Sequence, residues 1–128
     1  MSNDTVNPLQ ESIRVLNSTL GAATDYLAHL TARSVAPSKD ALKALALLDT
    51  DMPEQSMDPV ETVDLLHKLG SPATVATAGG RFYGLVVGGA LPATVGTRVL
   101  AAAWDQLATS EATSPISMQI ERTTSKWL

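Results

Sequence analysis

A long row of apolar residues with heptad spacing is the feature that most constrains this chain. Its members follow at spacings of 4, 3, 4, 3, 4 and 3 residues and are Leu9, Ile13, Leu16, Leu20, Ala23, Leu27 and Leu30. This spacing predicts an α-helix with one narrow apolar stripe. Asn7 as the N-cap, Pro8 as the first helical residue and Gln10 as the end of a capping box indicate where the helix starts. We therefore expect a helix over about residues 7–31.

The large members of this row form a surface that we call the leucine seam: Leu9, Ile13, Leu16, Leu20, Leu27 and Leu30. A stripe this narrow suits packing against one other helix. In one interpretation the seam packs on the chain's own core, as in an ordinary surface helix, and in the other it packs on a second protein chain. The sequence leaves both interpretations open, and under the second the seam is a dimer contact.

Two shorter helices are predicted next, each beginning at a capping residue. Ser38 caps a helix over about residues 38–48, after an extended connector that ends at Pro37. Asp58 caps a helix over about residues 58–70. Together with the first helix, these elements predict an N-terminal helical arm that covers residues 1–72.

The second part of the chain, residues 73–128, is expected to contain an extended segment followed by two helices. Residues 73–91 combine Thr, Val and Ala with paired glycines, which predicts an extended, partly β segment that bends at the glycines. Pro92 and Pro115 each fit the first position of a further helix. The predicted fold class is therefore mainly α with one extended or β segment.

Composition disfavours several classes of function. The chain has 9 basic and 13 acidic residues, a net charge of −4 and only 4% aromatic residues, which argues against nucleic-acid binding. It has no cysteine, so disulfides, thiolate catalysis and cysteine-ligated metal sites are excluded, and we expect no metal. The polar N-terminus lacks the pattern of a signal peptide, and the longest apolar stretch, Leu85 to Leu91, is too short to span a bilayer. We therefore expect a cytoplasmic protein without membrane contact.

The sequence shows no arrangement of residues typical of a catalytic site. His29 and His67 each lie on a predicted helix without a second ligand four residues away, so both are interpreted as structural or surface residues. A lysine that forms a Schiff base must be desolvated, whereas the four lysines of this chain lie in polar or amphipathic helical contexts. We therefore predict no catalytic and no cofactor-binding residue.

A set of short motifs follows in a fixed order through most of the chain. The motifs are Val35-Ala36-Pro37, Met52-Pro53-Glu54, Asp58-Pro59-Val60-Glu61, Gly80-Arg81-Phe82-Tyr83-Gly84, Pro92, Asp105-Gln106, Ser114-Pro115, Glu121 and Trp127-Leu128. This order resembles the N-terminal part of the pyridoxal-phosphate-dependent decarboxylases of the glutamate and aromatic amino-acid type. One departure is that the family's His-Pro before Arg-Phe is Gly79-Gly80 here.

The resemblance implies both a fold and a function. The chain is then the N-terminal arm of an aspartate-aminotransferase-like, fold-type I α/β enzyme whose large domain is missing, and its helices pack on the partner subunit of a homodimer or on the remainder of the enzyme. The intact relative uses pyridoxal phosphate to release carbon dioxide from an L-amino acid. Arg81, Phe82, Tyr83 and Gly84 then lie near the mouth of the active site.

The family's Schiff-base lysine and cofactor site lie further along its chain than the segment that this sequence resembles. We therefore expect the chain to bind no cofactor by itself and to be inactive alone. Its end at Trp127-Leu128, within an apolar pattern, fits a truncated chain under this reading. A stand-alone helical dimerisation module that uses the leucine seam is the alternative hypothesis, and a small independent enzyme is a third.

Overall fold

The computed structural model describes residues 7–128, and these residues form helices joined by turns. The α-helices are α1 (Pro8–Ala28), α2 (Lys39–Ala44), α3 (Pro59–Gly70), α4 (Pro92–Trp104) and α5 (Pro115–Thr124). Short 3₁₀ turns, Leu45–Leu48 and Ser71–Ala73, extend α2 and α3. The prediction of a mainly α protein is confirmed.

Side-chain caps explain where most of these helices begin. The Asn7 side chain accepts a hydrogen bond from the Leu9 amide at 3.0 Å, and Ser38 Oγ accepts one from Ala41 at 3.1 Å. The carboxylate of Asp58 accepts from the amides of Val60 and Glu61 at 2.8 and 3.2 Å. Each bond satisfies an amide that the first turn of a helix leaves without a partner.

The first helix is shorter than its apolar row. α1 ends at Ala28, and residues 29–32 continue as turns in which Leu30 and Ala32 donate to carbonyls three residues back. Leu30 therefore lies beyond the helix, in the turn that leads to the connector.

Residues 73–91 contain short turns separated by residues without regular secondary structure, and no β-strand occurs between residues 7 and 128. The expected β character of this segment is therefore wrong. The amides of Gly79 and Phe82 donate to carbonyls three residues back, which closes turns locally and leaves no ladder for a neighbouring strand. Leu85 and Val86 both have left-handed backbone conformations, with φ of 59° and 55°, so the chain cannot continue as a strand through them.

The structure divides into two compact units, one up to Gly89 and the other from Ala90 to Leu128. The sequence places its division earlier, after residue 72, where the third predicted helix ends. In the part of the chain that the structure describes, the buried apolar side chains are Leu30, Leu69 and Ala76, all in the first unit. The second unit has one fully buried residue among those described, Ser114, whose hydroxyl caps α5.

The chain leaves much of its surface uncovered. Its accessible area is 10530 Å². Two separate compact units of these lengths would expose about 7,700 Å² in total by the usual scaling of area with mass. The chain therefore exposes more surface than two compact units of these lengths.

Helix α1 packs on α3 through one face of mixed polarity. The half-buried residues of α1 recur at helical spacing and are Glu11, Val15, Ser18, Thr19, Ala22 and Tyr26. Ser18 Oγ donates to Asp64 Oδ1 at 3.1 Å, and Arg14 Nη2 donates to Asp58 Oδ2 at 2.6 Å. These contacts fix which side of α1 faces its neighbour.

Candidate functional site

The leucine seam lies mostly on the uncovered side of α1. Leu9, Ile13, Leu16, Leu20 and Leu27 are 36–73% exposed. At 3.6 residues per turn, the centre of this row lies about 140° around the helix from the centre of the face that contacts α3. The structure thus brings five members of the seam together as one apolar row, each with at least about a third of its surface exposed.

The sixth member of the seam, Leu30, is buried apart from the others. It lies in the turn after α1 with 9% of its surface exposed. A Cβ atom placed on Gly79 would lie 3.8 Å from Leu30 Cγ, so the two residues are in close contact. Leu30 therefore joins the end of α1 to the turns that follow α3.

An ion pair links α1 to the first turn of α3. Arg14 reaches both Asp58, at 2.6 Å, and Glu11 on its own helix, at 3.3 Å. The hydrogen bond from Arg14 lowers the pKa of the Asp58 carboxyl below its ordinary value of 3.8, and the amides of Glu61 and Val60 act in the same direction. Asp58 is thus both the cap of α3 and the charge that holds Arg14.

Acid is expected to weaken this contact. Because the pKa of Asp58 is lower in the folded chain than in the unfolded chain, its contribution to stability is present above 3.8 and disappears as the pH falls below that value. Asp58→Asn keeps an oxygen that caps α3 but removes the charge, so this variant should lose less stability than the original chain between about pH 6 and about pH 3. Thermal unfolding followed by circular dichroism measures the difference.

The matched control is Asp51→Asn, which removes the same charge from an exposed loop. This variant should keep the full acid dependence of the original chain. An Asp58→Asn variant that loses as much stability in acid as the original chain would contradict the role given to the Arg14–Asp58 pair.

The four residues predicted by resemblance to lie at a substrate mouth have different surroundings. Arg81 Nη2 donates to the carbonyl oxygen of Thr31 at 2.9 Å and to that of Arg33. Phe82 is half-buried, and a Cβ on Gly84 would lie 3.4 Å from its ring. Tyr83 is 92% exposed. Their role in an assembled enzyme stays a prediction.

A cluster around Arg33 was not predicted from the sequence. Arg33 lies in the connector after α1 and donates to Ser71 Oγ at 3.2 Å, to the Ser71 carbonyl and to Thr74 Oγ1 at 3.3 Å. Its guanidinium lies 4.6 Å from the centre of the Tyr26 ring. Residues 38 to 48 positions apart in sequence meet here, and no local pattern signals such a meeting. The one sequence signal for this cluster is a basic residue, Arg33, shortly after the first predicted helix.

The described residues do not fit a pyridoxal phosphate site. Such a site needs a desolvated lysine for the cofactor's aldehyde, and every lysine of the chain is exposed: Lys39, Lys43, Lys68 and Lys126. Among residues 7–128 no three His, Cys, Asp or Glu side chains lie close enough to hold a metal ion together. His29 instead contacts Asp25, one turn earlier on the same helix, at 3.2 Å.

No helix among the described residues is long and apolar enough to cross a membrane. Comparison with known proteins found no match to this chain among protein-family models, curated proteins or solved structures.

Proposed function

We propose that the chain is the N-terminal helical arm of a cytoplasmic pyridoxal-phosphate-dependent amino-acid decarboxylase of fold type I. In this proposal the arm holds the subunits of the enzyme together, and the reaction takes place on parts of the enzyme outside this chain. The order of motifs from Val35 to Leu128 supports the choice of enzyme family. The exposed leucine seam supports the assembly role and is the observation on which that role depends most.

The leucine seam is suited to bind a partner because α3 already holds α1 on its opposite face. α1 contacts α3 through its mixed face, so the apolar row remains available to a second surface. If a partner covers about 500 Å² of apolar area there, the gross gain is about 12 kcal/mol. Association and side-chain ordering offset much of this amount.

The cofactor, when bound in the intact enzyme, supplies the electron sink for loss of the α-carboxylate. The role proposed for this chain is to hold subunits together and to present residues 81–84 at the edge of the active site. Arg81 is suited to position that segment because it ties the segment to the connector after α1. This positioning requires no chemistry from the chain itself.

A stand-alone dimerisation module is the second candidate. It is favoured by the contacts between α1 and α3, because Arg14–Asp58 and Ser18–Asp64 link the two helices without help from another chain. Such a module folds by itself and pairs two copies through the leucine seam. An arm deprived of its enzyme is instead expected to expose the seam and to associate without a defined stoichiometry.

Sedimentation analysis and a dye-binding melt distinguish these functions. The arm proposal predicts a broad melt, binding of a dye for exposed apolar surface and association that does not stop at two copies. It also predicts that the chain retains no visible absorbance after dialysis from pyridoxal phosphate. A cooperative melt with a clean monomer–dimer equilibrium would favour the module, and stoichiometric retention of the cofactor would contradict both functions.

A further inference from the structure

We infer that a cavity between the end of α1 and the turns after α3 binds a small organic anion. The cavity has a volume of about 340 Å³ and lies within the first compact unit. Leu30, Val35 and Ala76 contribute an apolar wall, and Arg33 and Arg81 line the same cavity. The inference goes beyond the proposed arm function and does not rest on it.

The two positive charges at this cavity have no carboxylate partner in the described chain. The ion pairs found among residues 7–128 involve Arg14, His29 and Arg122, and none involves Arg33 or Arg81. In a chain whose net charge is −4, two guanidinium groups around one cavity without a neighbouring acid form a local concentration of positive charge. An anion is the ligand that this charge favours.

Both guanidinium groups are held in place by neutral acceptors. Arg81 Nη2 donates to the carbonyls of Thr31 and Arg33, while its Nε and Nη1 atoms have no acceptor among residues 7–128. Arg33 is fixed by Ser71 and Thr74. A fixed guanidinium with unused donors is well suited to a carboxylate or phosphate, because little side-chain entropy is lost when the anion binds.

The turn at Gly79 and Gly80 adds backbone donors and space. The amides of Gly80 and Arg81 donate to no acceptor among residues 7–128. A Cβ on Gly79 would lie 3.2 Å from the Ala76 carbonyl oxygen, so this position is closely packed, whereas a Cβ on Gly80 would meet nothing within 4 Å. Gly80 thus borders open space at the cavity, which a ligand can enter.

The lining selects a ligand with a charged end and an apolar body. Pockets of roughly 300–1,000 Å³ that combine apolar walls with a few polar groups are typical of small-molecule sites. Here the apolar body would lie against Leu30, Val35 and Ala76, and the carboxylate or phosphate would bind the arginines. The ligand class is therefore a small apolar molecule that carries one anionic group.

Nuclear magnetic resonance titration of the full chain tests this inference with benzoate, benzyl phosphate and benzyl alcohol as probes. Both anions are expected to shift the amide signals of Gly80 and Arg81, and the neutral alcohol should bind at least about tenfold more weakly. Whichever anion binds more tightly identifies the preferred headgroup. Equal binding of all three probes, or no binding of either anion, would overturn the inference.

Three variants assign the binding to this cavity. Arg81→Lys keeps a positive charge and a donor for the carbonyls but loses the planar fork, so affinity for the anions should fall about tenfold. Gly80→Leu keeps both arginines and fills the open space, so it should also weaken binding while leaving the remaining amide spectrum unchanged. Arg98→Gln removes one charge from an exposed position on α4 and should leave affinity unchanged. Unchanged affinity in Arg81→Lys and Gly80→Leu, or a loss in Arg98→Gln as large as in these two, would reject the site.

Discussion

Replacing Leu16 and Leu20 by glutamate is expected to abolish association through the leucine seam. Both residues lie at the middle of the exposed apolar row, so a partner that covers the row must bury both. Burial of each leucine contributes about 1.5–3 kcal/mol, and two charges in the same place add a desolvation cost. Sedimentation analysis should therefore show association at least about 100-fold weaker than in the original chain.

The control for this experiment adds the same two negative charges outside α1. Gln55→Glu and Gln119→Glu change side chains of nearly the same shape at exposed positions away from the seam. This double variant should associate like the original chain. Equal weakening in both double variants would mean that overall charge, and not the leucine seam, controls association. If the Leu16→Glu, Leu20→Glu variant associates as strongly as the original chain, the seam is ruled out as the contact.

Leu30→Ala should remove a large part of the stability of the first compact unit. Leu30 is one of the few buried apolar side chains among the described residues and contacts the turn at Gly79. Truncation of a buried leucine to alanine costs about 2–5 kcal/mol, because transfer energy is lost and a cavity remains. Chemical denaturation followed by circular dichroism should show a midpoint shifted strongly to lower denaturant concentration.

Leu27→Ala is the matched comparison, since it makes the same change three residues earlier at a side chain that is half exposed. In a dilute monomeric sample it should cost less than about 1 kcal/mol, as usual for an exposed position. Similar losses for the two variants would contradict the different roles given to Leu27 and Leu30. Because Leu27 belongs to the seam, its effect should increase at concentrations where the chain associates.

Local sequence signals were sufficient to locate the helices. Asn7, Ser38, Asp58 and Ser114 each provide a cap, and a proline or a helix-forming residue follows each one. Capping depends on bonds across two or three residues, so the sequence alone contains the necessary information. The same signals predict the leucine seam but do not determine whether it packs on the chain's own core or on a second protein chain. In the structure, five of its six members are exposed on the surface of α1.

Longer-range contacts could not be predicted in the same way. Arg33 meets Ser71 and Thr74, and Arg81 meets the connector after α1, only because the chain folds back on itself. The β prediction for residues 73–91 is wrong because β-branched residues favour strands only when a neighbouring strand is available. Here most backbone hydrogen bonds close within short turns, and a single bond from the Ala76 amide to the Val35 carbonyl reaches another segment. The candidate anion site depends on both of these features and therefore had no sequence signature.

Helix α4 extends over 13 residues and contains no buried residue. A helix of that length has only marginal stability on its own in water, so packing normally has to support it. Its amide protons should therefore exchange with solvent through frequent local opening, at a rate unrelated to global unfolding. Any molecule that covers α4 would slow this exchange, which makes deuterium uptake at Pro92–Trp104 a sensitive reporter of assembly.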